Sequence, residues 1–87
     1  MKIQICKFGE YLISRPAGRE AFLSFKASFA VPEKTQAIEL DFTGVVVLTP
    51  SWADEFISNL KSTYSNPISV LPSENASVIE SLKFVDI

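Results

Sequence analysis

Histidine is absent from all 87 residues. With it go Ser-His-Asp and Cys-His catalysis, histidine general bases and most zinc sites. The single cysteine, Cys6, rules out an intramolecular disulfide and fits a reducing, cytoplasmic setting. Basic residues are in no excess. The formal net charge is -2, so the chain lacks the positive surface that draws proteins onto nucleic acid or an anionic membrane. No apolar run approaches the ~20 residues needed to cross a bilayer. The opening MKIQICKFGEY alternates instead of building the apolar block of a signal peptide. No repeat or low-complexity tract interrupts the sequence. What is present is the make-up of a soluble folded domain, 47% hydrophobic and 21% charged, at a length suited to one domain over residues 1–87.

Hydrophobic spacing sorts the chain into strands and helices. Ile3 and Ile5 alternate with Lys2 and Gln4 in KIQICKF, which predicts a half-buried strand containing Cys6 as a small packed side chain. Gly9-Glu10 then predicts a turn, with YLI as a short returning strand. A first helix is expected from about Ser14 to Pro16 onward, serine capping it and Ala21, Phe22, Phe25 and Phe29 forming its core stripe. VPEKTQ is the loop back. AIELDF is a strand with Ile38, Leu40 and Phe42 on one face, and Thr43-Gly44 turns the chain into the apolar VVVL. A second helix is expected from Ser51 to about Ser65, burying Ala53, Phe56, Ile57, Leu60 and Tyr64, with Trp52 at the rim. PISVL is another strand. A short last helix is expected to be capped by Ser73 and to turn Val78, Ile79 and Leu82 inward. Strands separated by helices predict an α/β fold: a small, mostly parallel or mixed sheet with about three helices.

The most informative stretch is LDFTGVVVLTPSWADEFISNL, residues 40–60. Read physically, Ser51 is placed to cap the helix, accepting one of its unpaired N–H groups, with Asp54 reaching back and Asp54 and Glu55 favoured by the helix dipole. Asp41 is placed to bond the Gly44 turn, and Pro50 sharpens the helix boundary.

In Leu40, Asp41, Phe42, Gly44, Val45, Thr49, Pro50, Ser51, Ala53, Asp54 and Glu55 the stretch resembles the STAS-like domain family of uncertain function. That family is related to the bacterial anti-sigma-factor antagonists and the sulfate-transporter C-terminal domains. Trp52 stands where phenylalanine is more usual. The resemblance implies a STAS-like α/β fold and a regulatory, signalling role in binding a protein partner, with no catalysis and no cofactor. In the antagonists a serine at the start of the matching helix is phosphorylated by a partner kinase with a histidine-kinase-type ATP site. The segment there reads D-S-S-G or similar. Here it reads Thr49-Pro50-Ser51-Trp52, which sets Pro50 at the acceptor's place and leaves Ser51 and Thr49 as the neighbouring candidate hydroxyls.

Asp41 and Asp54 are candidates for paired carboxylates, but both have simpler turn and cap roles, and a magnesium or calcium site needs more oxygen ligands than they supply. Arg15 and Arg19 flank a helix start, where an anion could bind, but without a Gly-rich loop they read as solvated or paired surface arginines; a small anionic ligand or nucleotide at the start of the Ser51 helix is the alternative to protein binding. The phenylalanine stripe has no interleaved basic residues and is core, not a base-stacking platform. Leu23, Ala27 and Ala30 share the far side of the first helix, a modest apolar patch for a partner or for weak homodimerisation. Trp52, Asp54, Glu55 and Ser58 mark the expected partner surface on the second helix, an aromatic beside acids with no basic residue at helical spacing.

Overall fold

The computed structural model describes residues 1–31 and 33–87. Strands and helices alternate through them. They are β1 (Lys2–Gln4), β2 (Tyr11–Leu12), α1 (Arg15–Ser28), β3 (Ile38–Asp41), β4 (Val47–Leu48), α2 (Pro50–Thr63), β5 (Ile68–Val70) and α3 (Ala76–Leu82). Pro32, in the expected VPEKTQ loop, lies outside the described residues.

Two small sheets result, and every pairing in them is parallel. One has the order β1-β3-β5 and the other joins β2 to β4. The register aligns Ile3, Leu40 and Val70 on one face of the larger sheet and Lys2, Glu39 and Ser69 on the other. Parallel sheets are usually covered on both faces. Here the alternation of apolar and polar residues lets one face stay in solvent while the other joins the core. The fold is therefore α/β with a small parallel sheet and three helices, as the spacing predicts.

The core is one cluster in which Phe22, Phe25, Trp52, Phe56, Ile57 and Leu60 of α1 and α2 meet Ile3, Ile38 and Leu40 of the sheet. Full burial of each large apolar side chain contributes roughly 1.5–3 kcal/mol. Phe56 sits at the centre, stacked on Trp52 at 5.1 Å and edge-on to Phe22 and Phe25. The helices approach closely at Gly18, where an added Cβ would lie 2.7 Å from the Trp52 carbonyl oxygen. Gly18 is thus a packing requirement.

Several local expectations are corrected. The first strand stops at Gln4, and Ile5–Phe8 form a 3-10 turn. In that turn residues i and i+3 share a side, so Ile5 is buried and Phe8 also packs against Trp52 and Phe56. A strand would turn one of them away. YL does not fold back on β1; it pairs in parallel with β4, thirty-six residues along the register. Of VVVL, Val45 and Leu48 are buried but Val46 is 44% exposed. Phe29 lies just beyond α1 as its C-cap residue, stacked on Phe25 and 36% exposed. The cap of α3 is Asn75, whose side chain accepts from the Val78 N–H, while Ser73 accepts from the Asn75 N–H. Val78 is buried as expected, but Ile79 is 43% exposed.

Candidate functional site

The helix in the marked stretch begins at Pro50, one residue earlier than Ser51. Proline at the first helical position lacks only an N–H that has no helical partner there, and the residue before it becomes the cap. That residue is Thr49, whose hydroxyl accepts from the Trp52 N–H at 3.3 Å. The same hydroxyl donates to the Ile13 carbonyl, with the Leu12 carbonyl 3.4 Å away. The start of α2 is therefore tied to the segment that leads into α1.

Ser51 is not the cap. It is exposed, and its hydroxyl has no hydrogen bond among the described residues. Asp54 and Glu55 lie beyond the first turn, which holds no acidic residue, so neither completes a capping box. The signal for this lay in Pro50 rather than in Ser51.

Trp52 is also placed differently from the expected rim. It is 1% exposed, inside the core against Phe56, so its ring is not available as a surface anchor. Position 52 faces α1 and the 3-10 turn, a contact between distant segments that helical spacing alone does not reveal.

The two acids on α2 are held by a residue far away in sequence. Arg15, at the first position of α1, donates to Asp54 at 2.8 Å and to Glu55 at 3.3 Å. Ser58 donates to Asp54 at 3.3 Å, and the Asn59 amide donates to the Glu55 carboxylate at 3.0 Å. The hydrogen bond from Arg15 holds the Asp54 carboxyl below its ordinary pKa, and the two carboxylates together raise that of Arg15. The expectation that no basic residue ties down Asp54 and Glu55 holds within α2 but fails in three dimensions.

A shallow cavity of about 260 Å³ lies beside this cluster, lined by Arg15, Pro16, Arg19 and Glu55. It joins the two arginines considered for an anion, but Arg15 already faces two carboxylates and one of them lines the cavity. Arg19 makes no ion pair among the described residues. Leu23, further along α1, is 49% exposed.

Asp41 and Asp54 are not joined in one site. Asp41 accepts from the Thr43 N–H at 3.0 Å and has Lys2 at 3.7 Å, and the Thr43 bonds chiefly hold its carboxyl below the ordinary value. This matches its turn-forming role. Gly44 follows with φ +92°, a conformation that favours glycine, and with Cys6 close beneath it.

The site is thus the paired start of two helices in a small parallel α/β domain: an unbonded Ser51 hydroxyl, an arginine clamping Asp54 and Glu55, and Asp41 held apart by its own turn. The chain belongs to the family described as the STAS-like domain of unknown function (DUF4325), whose model matches residues 25–86. No curated protein and no solved structure matches the chain. Among the described residues no helix is long and apolar enough to cross a membrane.

Proposed function

We propose that this domain is a non-enzymatic regulatory module that binds a protein partner through the surface where α2 begins. The observation that carries the reading is the exposed Ser51 hydroxyl beside a cap made by another residue. Because Thr49 holds the helix start, the group at position 51 can change without undoing the fold beneath it. A phosphate there would sit near a helix N-terminus, where negative charge is favoured, and would add to the acidic surface of Asp54 and Glu55, whose arginine is already engaged. Ser58, Asp54 and Glu55 extend the surface along α2, and Leu23, on α1, is 49% exposed. By family resemblance the partner is an ATPase of the histidine-kinase-like class, acting on Ser51 in preference to Thr49, whose hydroxyl is engaged. The setting proposed is the cytoplasm.

Absence of catalysis is supported by the lack of histidine and by the two aspartates. Both have separate partners and lowered pKa values, so they are weak proton acceptors near neutrality. The reading of an anionic small-molecule site draws little support, since the clamp arginine already meets two carboxylates.

The test is a photoreactive residue at position 51, with a second at exposed Ser69 on the polar face of the sheet as control. Capture of one protein from position 51 alone, weakened by Ser51→Asp on a separate binding assay, is the expected result. Equal capture from both positions, or binding indifferent to both Ser51→Asp and Glu55→Lys, would overturn the assignment.

A further inference from the structure

We draw no further inference here: the strongest candidate, the open cavity of about 500 Å³ where α1 and α2 end, walled by Phe29, Val31 and Tyr64 with Lys34 at its side, carries nothing because the lysine favours an anion while the two helix C-termini favour a cation, and nothing in the structure shows what fills it.

Discussion

Each of the two long helices begins with a hydroxyl cap and a proline, Ser14-Arg15-Pro16 in α1 and Thr49-Pro50-Ser51 in α2. The caps work alike within their own helices: Ser14 accepts from the Ala17 N–H at 3.2 Å, and Thr49 from the Trp52 N–H at 3.3 Å. They differ in reach. The Thr49 hydroxyl also donates to the Ile13 carbonyl, directly before the Ser14 cap, while the Ser14 bond is local. One start is therefore a helix cap and the other is a cap and a tertiary tie. The residue that looks most like a cap in the sequence, Ser51, serves neither purpose.

The strongest way to break the paired starts is at their contact. Gly18→Val would drive a branched side chain into the Trp52 carbonyl, where even a Cβ is too close at 2.7 Å. The helices would have to separate and unstack the core around Phe56. A loss of about 3 kcal/mol is expected from overpacking of this kind, measured as a shift in the urea midpoint. An unchanged midpoint would mean the helices are not packed this closely.

Next come the two caps themselves. Thr49→Ala is expected to destabilise by about 2 kcal/mol, combining a lost cap with a lost bond to the Ile13 carbonyl. Ser14→Ala is expected to cost about 1 kcal/mol, the cap alone. Thr49→Ser keeps both bonds and should recover most of the loss. Equal losses at Thr49 and Ser14 would remove the distinction between a local cap and a tertiary tie.

What could be read beforehand, and what could not, divides along the same line. The strands at Ile38–Leu40 and the helical stripe through Phe56 and Leu60 follow from spacing within a few residues, and both are present. Family membership follows from a continuous motif. The clamp from Arg15 spans 39 positions to Asp54, and parallel pairing of β2 with β4 joins Tyr11 to Val47 and Leu12 to Leu48; no local period encodes either. Helical spacing misplaces Trp52 for a related reason: its surroundings include Phe8 and Gly18, which are near it only after folding. At Thr49 the information was local, carried by the proline that follows it.

A smaller effect separates the starts by pH. Asp41 and Asp54 both have pKa values below their ordinary range, Asp54 chiefly through its Arg15 hydrogen bond. A carboxyl whose folded pKa is depressed adds stability that is present above its unfolded pKa, about 3.9, and is lost as pH falls through the folded value. Stability should accordingly decline on acidification below about pH 4. Arg15→Gln should flatten part of that decline, and the Asp54 carboxyl, followed by NMR, should titrate closer to its ordinary value. Because the pair is largely exposed, the change should be reduced by added salt. A titration of Asp54 that ignores the loss of Arg15 would show that the clamp does not persist in solution.

The smallest expected effect falls on Ser51. As a cap its removal would cost about 1 kcal/mol, and aspartate would replace it well. Thr49 is the cap instead, and Ser51 lies inside the first turn with an exposed, unbonded hydroxyl. Ser51→Ala should then leave the urea midpoint within about 0.5 kcal/mol of the parent, since surface positions without such a bond are nearly neutral. Ser51→Asp should be equally benign to the fold, its charge placed near a helix N-terminus. The two substitutions differ only in what a partner meets. If binding of the crosslinked partner falls for aspartate and persists for alanine at equal stability, charge at position 51 is what the partner reads. A stability loss of about 1 kcal/mol for alanine, with aspartate neutral, would return the capping role to Ser51 and leave the switch without its distinguishing support.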